Sequence, residues 1–185
     1  MPVEYYKRHR MRCELPPAPA VPALPAGYRW HAWRDALADV HADVLRRAFR
    51  DEPDAQLFPS LGSETGCRML VRAIRESPTF CPEATWLVEG PTGPAGAILG
   101  LVEFGEGSIQ NVAVVPEARE RGLGTALLVQ SLAGFATAGV LAVELEVTVA
   151  NCSAMALYRR LGFRAYKTSY RSVERPDRSM VGLGI

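Results

Sequence analysis

Two glycines at the junction of a predicted strand and a predicted helix form the most chemically suggestive pattern in the chain. The apolar run Val112–Val115 stops at Pro116, and residues 119–125 (Arg-Glu-Arg-Gly-Leu-Gly-Thr) then lead into a long apolar helical run. Amide N–H groups in the first turn of a helix lack partners within the helix, and the helix dipole adds about half a positive charge there. Gly122 and Gly124 let a ligand approach the backbone without a Cβ in the way. The pattern therefore predicts a cradle for an anionic phosphate group.

A second motif follows after one further predicted helix and strand. It reads Asn151-x-x-Ala154-x-x-Leu157-Tyr158-x-x-x-Gly162-Phe163. Asn151 or Ser153 can cap a helix here, and Gly162 is typical of the position just after a helix end. The spacing predicts a short helix over 151–161 that carries a tyrosine on its apolar stripe.

The elements that position these motifs follow from hydrophobic periodicity and from Gly/Pro turns. We predict strands over 28–33, 85–89, 95–104, 108–115, 141–149 and 163–173, helices over 34–50, 64–75, 122–138 and 151–161, and a further strand over 180–185. The order is β-α-α-β-β-β-α-β-α-β, with the additional β at the end. It predicts an α/β fold with a mixed, mostly antiparallel sheet and helices on both faces. On the first helix, His41 is predicted to be a core histidine with satisfied nitrogens, and a catalytic histidine is the alternative.

The N-terminal region is predicted to lie outside the folded domain. Residues 1–14 are polar and resemble a loosely held tail, and Leu15–Gly27 (LPPAPAVPALPAG) reads as a Pro/Ala-rich linker. We therefore expect a tail and linker over 1–27 and one domain over 28–185. The N-terminus lacks the apolar core of a signal peptide, which predicts a cytoplasmic protein.

Composition and charge exclude several classes of function. Lys and Arg number 21 against 20 Asp and Glu, a balance that gives no electrostatic footprint for nucleic acid or an anionic membrane. The four cysteines have no C-x-x-C spacing, which predicts free thiols in a reducing compartment. The histidines lie at positions 9, 31 and 41, away from any cysteine or carboxylate cluster, so no metal site is expected.

The two motifs in this order, about 25 residues apart, resemble those of GNAT-superfamily N-acetyltransferases. The resemblance covers 28–173 and is firmest over 109–163. It implies that the backbone of the loop holds the pyrophosphate of acetyl-CoA, that two strands splay apart around the pantetheine, and that no metal takes part. The cofactor-binding residues implied are Val112, Val114, Arg119, Glu120, Arg121, Gly122, Leu123, Gly124, Thr125 and Asn151. The side chains of Arg119 and Arg121 either add cationic contacts to the cofactor or simply face solvent. Asn151 binds pantetheine, caps its helix, or does both.

The resemblance also implies catalytic residues for direct attack of an amine on a thioester. Tyr158 matches the family's general acid, which faces the sulfur, and a core tyrosine with a satisfied hydroxyl is the alternative. Glu146 matches the base of the ribosomal-protein branch. In the histone-acetyltransferase branch the matching position is Ser108, which cannot serve as a base.

Three further polar residues are candidates for the acceptor side of the cleft. Glu103 is a second candidate base, acting through water. For Glu103 and for Glu146, the alternative is a strand carboxylate that faces solvent. Gln110 and Asn111 are expected to position the substrate beside a bulge in their strand.

Acetyl transfer from acetyl-CoA to a primary amine is the function predicted from this resemblance. The alternatives are a non-catalytic acyl-CoA-binding regulatory module and a nucleotide-binding regulator, the latter disfavoured because the loop lacks a Gly-Lys-Ser/Thr ending. The expected partner is a small-molecule or peptide amine, with no nucleic acid or membrane, and a homodimer stays open. The sequence carries no signature of the acceptor, and the charged stretch Asp51, Glu52 and Asp54 is either an attractor for cationic amines or a solvated loop.

Overall fold

The computed structural model describes residues 3–15 and 20–174, whose strands form a seven-stranded mixed sheet. The strands are β1 (Val3–Glu14), β2 (Arg29–Ala32), β3 (Trp86–Gly90), β4 (Gly93–Glu103), β5 (Glu106–Val114), β6 (Ala142–Thr148) and β7 (Arg164–Glu174). The helices are α1 (Ala38–Phe49), α2 (Pro53–Leu57), α3 (Glu64–Glu76), α4 (Leu123–Thr137) and α5 (Cys152–Arg160), with 3-10 turns at Asp35–Leu37, Pro59–Leu61, Pro82–Ala84 and Pro116–Ala118.

From β2 to β7 the predicted α/β fold and the predicted order of elements are confirmed. Most bounds differ from the predicted ones by one or two residues, and the short helix α2 lies in a stretch predicted to be a loop. The first helix begins later than predicted because residues 35–37 form a 3-10 turn. The strand predicted over 180–185 lies outside the described residues.

The prediction of a loosely held tail over residues 1–14 is wrong for Val3–Glu14. This segment is β1, which pairs antiparallel with β6 on one side and with β7 on the other. Its residues alternate: Met11 and Cys13 are buried, whereas the Arg8 and Arg10 side chains on the opposite face form ion pairs with a carboxylate of β6. The charged residues on the other face obscured the period-2 pattern in the sequence. Because β1 belongs to the sheet, the folded domain begins before the predicted linker and not at Tyr28.

The strand order β2-β3-β4-β5-β6-β1-β7 places the only parallel pair among the described strands, β5 and β6, near the middle of the sheet. Their pairing is short: 107–109 of β5 against 143–145 of β6. Beyond Ile109 and Leu145 the two strands diverge, which opens a gap in the sheet. A register shift between Leu99 and Gly100 of β4 leaves Gln110 as the extra residue of a bulge in β5, as predicted.

Helices α1 and α4 pack on β4 and β5 from opposite faces, and α3 packs on α1. Helix α4 is almost wholly apolar, and its fully buried Phe135 lies against Gly100 and Gly107, where a Cβ would come within 2.7 and 2.8 Å of its ring. These two glycines therefore let the helix approach the sheet closely. His41 of α1 is buried as predicted, but neither of its nitrogens has a hydrogen-bond partner among the described residues, so within that part of the chain the prediction that they are satisfied is wrong.

Candidate active site

The gap between β5 and β6 opens into a cavity of about 1000 Å³. Its walls come from the diverging halves of the two strands, the segment 119–125, α5, and the region around α2. Of the residues predicted to form the site, those that border this cavity are Glu103, Gln110, Asn111, Val112, Val114, Arg119, Glu120, Gly122, Leu123, Gly124, Thr125, Glu146, Asn151 and Tyr158. Arg121 alone of the predicted set is not among the lining residues.

One end of the cavity is formed by the turn that precedes α4. Glu120 and Gly122 have φ values of +61° and +77°, a left-handed conformation that glycine adopts freely and glutamate rarely. Gly122 is the N-cap of α4, and its carbonyl accepts a hydrogen bond from the N–H of Ala126 at 3.0 Å. No side chain caps this end. The amides of the first turn, Leu123, Gly124 and Thr125, thus belong to residues that border the cavity and have no partner within the helix.

The backbone of β5 offers polar groups to the same gap. The N–H of Val115, just after β5, donates to the carbonyl of Ala95 in β4 at 2.9 Å. Because backbone groups alternate in direction along an antiparallel strand, those of Val112 and Val114 point away from β4, towards the gap. The carbonyl of Val114 accepts a hydrogen bond from Nε of Arg119 at 3.3 Å. The amide of Val114 and both backbone groups of Val112 therefore face the position where the resemblance places pantetheine.

The guanidinium group of Arg119 is committed to contacts within the protein. It donates to the carbonyl of Ala48 at 2.9 Å and to the carboxylate of Glu52 at 2.8 Å, in addition to Val114. These contacts join the turn before α4 to the C-terminal end of α1. The side chain thus positions the loop, and its charge is balanced by Glu52.

Helix α5 brings Asn151 and Tyr158 to the opposite wall. Oδ1 of Asn151 accepts hydrogen bonds from the N–H of Ala154 and from the hydroxyl of Ser153, both at 3.1 Å, so the predicted capping role is confirmed. The ring of Tyr158 is buried and packs edge-on against Phe163, 6.0 Å between centroids. Burial, with a smaller contribution from the charge of Asp54, raises the pKa of Tyr158 above its usual value. The hydroxyl is therefore neutral throughout the physiological pH range.

The two candidate bases lie in different surroundings. Glu146 of β6 is half-exposed and forms ion pairs with two guanidinium groups, Nη1 of Arg8 at 3.0 Å and Nε of Arg10 at 2.7 Å. Glu103 lies exposed at the end of β4, next to the hairpin that leads into β5. At the bulge, Nε2 of Gln110 donates to the hydroxyl of Ser108 at 2.8 Å.

The sequence did not indicate the place of several residues in the site, and it singled out Asp54 only as part of a charged stretch. Arg8 and Arg10 border the cavity from β1, and Asp54 and Phe58 border it from α2 and the residue after it. Oδ1 of Asp54 accepts a hydrogen bond from the hydroxyl of Thr148 at 2.8 Å. The alternation Arg8-x-Arg10 was the available signal for β1. Asp54 reaches the site through tertiary packing alone, which no local pattern reports.

Comparison with known proteins defines the class. The family model described as the acetyltransferase (GNAT) family matches residues 32–163. The fold agrees: a GCN5-related N-acetyltransferase from Sphaerobacter thermophilus superposes with a TM-score of 0.71 at 24% identity, over 90% of this chain and 50% of that one. This chain belongs to the GNAT acetyltransferase family.

Curated relatives add sequence similarity over shorter spans. A mycothiol acetyltransferase from Clavibacter michiganensis subsp. michiganensis is 37% identical over 151 residues, which is 80% of this chain and 47% of that protein. A [ribosomal protein bS18]-alanine N-acetyltransferase from Salmonella typhimurium is 42% identical over 62 residues, 34% of this chain and 42% of that protein. The chain thus spans about half the length of the curated relatives it matches, or less.

Three further observations bear on the class of site. The described residues contain no group of three or more His, Cys, Asp or Glu side chains arranged to hold a metal ion. Within the same ranges, 3–15 and 20–174, no helix is long and apolar enough to cross a membrane. All four cysteines are free, three of them buried and Cys152 exposed.

Proposed function

We propose that this protein transfers an acetyl group from acetyl-CoA to a primary amine by direct attack of the amine on the thioester. The observation that carries the proposal is the continuity of the cavity. It runs from the uncapped N-terminus of α4, past the gap-facing backbone of β5, to the hydroxyl of Tyr158. These are the groups that a pyrophosphate, a pantetheine arm and a departing sulfur would each need, in that order.

The donor fits the residues present. The amides of Leu123, Gly124 and Thr125, with the positive end of the α4 dipole, suit a pyrophosphate. Val112 and Val114 offer backbone groups that pair with the amides of pantetheine like an added strand. Acetyl-CoA supplies an activated acyl group, and this chain's task is to position it and to move protons.

Tyr158 assists the departure of the sulfur. A thiolate of ordinary pKa near 8.5 leaves more readily when a hydrogen-bond donor faces it. Burial keeps the hydroxyl of Tyr158 protonated, because its pKa is raised. No described residue holds that hydroxyl in a hydrogen bond, which leaves it available to the cavity.

The base that accepts the amine's proton is one of three carboxylates. Glu146 and Glu103 are the residues suggested by the sequence, and Asp54 is added by its hydrogen bond to Thr148 and its electrostatic effect on Tyr158. The carboxylate of Glu146 already forms ion pairs with the guanidinium groups of Arg8 and Arg10. Removing the true base is expected to lower kcat by roughly 10²–10⁴-fold, so Glu146→Gln, Glu103→Gln and Asp54→Asn separate the three.

For the setting of the reaction we propose a small-molecule or peptide amine acceptor and the reducing environment of the cytoplasm. An amine acceptor agrees with the name of one matched relative, the [ribosomal protein bS18]-alanine N-acetyltransferase. The free cysteines agree with a reducing compartment. Nucleic acid, membrane and a second copy are not needed by the proposed reaction.

The experiment is a thermal-shift titration with acetyl-CoA followed by a thiol-release assay over an amine panel. Ligand at 100 times its Kd should stabilise the fold by about 2.7 kcal/mol, and a productive amine should release CoA thiol. Tyr158→Phe should keep the thermal shift and lose roughly 10²-fold in kcat. Tyr170→Phe, an exposed tyrosine on β7, is the matched control and should retain full activity.

Each component of the proposal has its own contrary outcome. Absence of a thermal shift with acetyl-CoA would contradict the donor. A shift without thiol release over the whole panel, unaffected by Tyr158→Phe, would instead establish the non-catalytic acyl-CoA-binding module.

A further inference from the structure

Two guanidinium groups contact the same aromatic ring, that of Phe58, which borders the cavity. The Cζ atoms of Arg8 and Arg171 lie 4.6 and 4.4 Å from the centroid of the Phe58 ring. Arg8 belongs to β1 and Arg171 to β7, so the ring of Phe58 brings together cations from two strands. Contact with the ring face favours a cation, but it does not neutralise its charge.

The side chain of Arg8 is unusually buried for an arginine. It is 13% exposed, and its Nε is buried without a hydrogen-bond partner in the described ranges 3–15 and 20–174. Burial, opposed by the charges of Glu146 and Asp54 and assisted by that of Arg171, lowers the pKa of Arg8. A buried guanidinium with unused donors is costly unless an anion meets it.

Few carboxylates bind these guanidinium groups directly. Three cations, Arg8, Arg10 and Arg171, face a single directly bound carboxylate, that of Glu146. Within the described part of the chain, Arg171 forms no ion pair. Asp54 acts on Arg8 only through its charge, and its Oδ1 accepts a hydrogen bond from the hydroxyl of Thr148. Arg171 and the Nε of Arg8 therefore keep N–H donors that no described carboxylate binds.

The cluster lies next to the reacting groups. Arg8 pairs in register with Thr148, whose hydroxyl is bound to Asp54. The charge of Asp54 in turn acts on the hydroxyl of Tyr158. An acceptor whose amine lies near Asp54 and Tyr158 thus extends towards Arg8.

We propose that this cluster is an oxyanion subsite and that the acceptor is an amine carrying a carboxylate or phosphate group. The inference rests on the proposed acetyl transfer and names the class of acceptor for that same site. The planar guanidinium fork of Arg8 suits either oxyanion, which it binds through paired N–H groups. Arg8 thereby acts as a specificity-determining residue, while the amine end is bound by the carboxylate of Asp54, whose charge acts on Tyr158.

The test compares matched acceptors that differ only in the anionic group. β-Alanine is compared with β-alaninamide, glycylglycine with glycylglycinamide, and phosphoethanolamine with ethanolamine, each in the acetyl-CoA thiol-release assay. The anionic member should be preferred by roughly 10- to 100-fold in kcat/KM, since hydrogen bonds to charged groups are the strong ones. A preference shown by the glycylglycine pair alone indicates a subsite for carboxylate. A preference shown by the phosphoethanolamine pair alone indicates a subsite for phosphate.

Variants of Arg8 link the preference to the cluster. Arg8→Gln should reduce the preference to within about two-fold, mainly through KM, and Arg8→Lys should retain part of it because the charge stays but the fork is lost. Arg12→Gln is the control. Arg12 lies four residues further along the same face of β1, forms ion pairs with Glu106 and Glu14, and does not border the cavity. It should leave the preference intact.

The contrary outcomes are distinct for the two proposals. Turnover of anionic and neutral acceptors with equal kcat/KM, or a preference that survives in Arg8→Gln, overturns the oxyanion subsite and leaves acetyl transfer standing. No turnover of any amine overturns the proposed function. In that case, calorimetric binding of N-acetylglycylglycine against its amide, in the presence of CoA, still decides the subsite by the same comparison.

Discussion

His41 shows how one residue sets the response of the fold to acid. Its imidazole lies wholly buried on α1, 4.9 Å from the ring of Trp33, and burial lowers its pKa to about 4 from an ordinary 6.5. The unfolded chain therefore binds a proton at a pH where the folded chain does not. The stability associated with neutral His41 is complete above pH 6.5 and is lost as the pH falls towards 4.

We predict that His41→Leu removes this loss. Over the range from pH 6.5 to 4, wild type should lose about 3 kcal/mol more unfolding free energy than the variant, on the linkage of 1.36 kcal/mol per pKa unit. Urea titrations at several pH values measure the difference. His9→Leu, a histidine on β1 whose Nδ1 contacts Thr168, is the control. Parallel pH profiles for wild type and His41→Leu would contradict the assignment.

At this same scale the sequence predicts the donor side of the site better than the acceptor side. Gly122 and Tyr158 belong to local motifs whose spacing is visible in the chain, and both border the cavity. Arg8 and Asp54 border the same cavity from segments that are distant in sequence. Local patterns report which residues share an element, but packing between elements decides which side chains meet.

Helix α4 shows what periodicity can and cannot predict for an element. Its apolar character on all sides indicates a helix covered by other structure, as observed. The sequence does not reveal what covers it. At Gly134 a Cβ would lie 1.9 Å from the carbonyl oxygen of Glu83, and the hydroxyl of Ser131 donates to the carbonyl of Ala84 at 2.7 Å. The 3-10 turn Pro82–Ala84 therefore lies directly on the helix backbone.

We predict that Gly134→Ala destabilises the fold by about 2–4 kcal/mol, even though alanine favours a helix over glycine by roughly 1 kcal/mol. The added methyl meets backbone atoms, which cannot rotate away. Chemical denaturation measures the change. The control is Gly62→Ala, where φ is −83° and the nearest atoms would be 3.5 Å from the Cβ. It should stay within about 0.5 kcal/mol of wild type. Equal stability of both variants would mean that the turn Pro82–Ala84 moves away from the added methyl group at no cost in stability.

At the scale of the whole molecule, the first and last described strands lie side by side. β1 is inserted between β6 and β7, so the N-terminal segment joins the strand that flanks the cleft to the edge of the sheet. The fold from β2 onwards could be predicted because each element carries its own period and turn signals. The position of β1 could not be predicted, because the arginines that form its ion pairs give the segment the composition of a solvated tail.

The insertion of β1 makes the N-terminal segment part of the core, which leads to a prediction opposite to that for a dispensable tail. Met11 is fully buried, whereas Tyr5 on the same strand is 68% exposed. Met11→Ala should lower the unfolding free energy by about 2–5 kcal/mol, and Tyr5→Ala by less than about 1 kcal/mol. Removal of residues 1–14 should abolish cooperative unfolding, because β6 and β7 both lose their partner. Retention of a sharp thermal transition by the truncated chain would show that the sheet closes without β1.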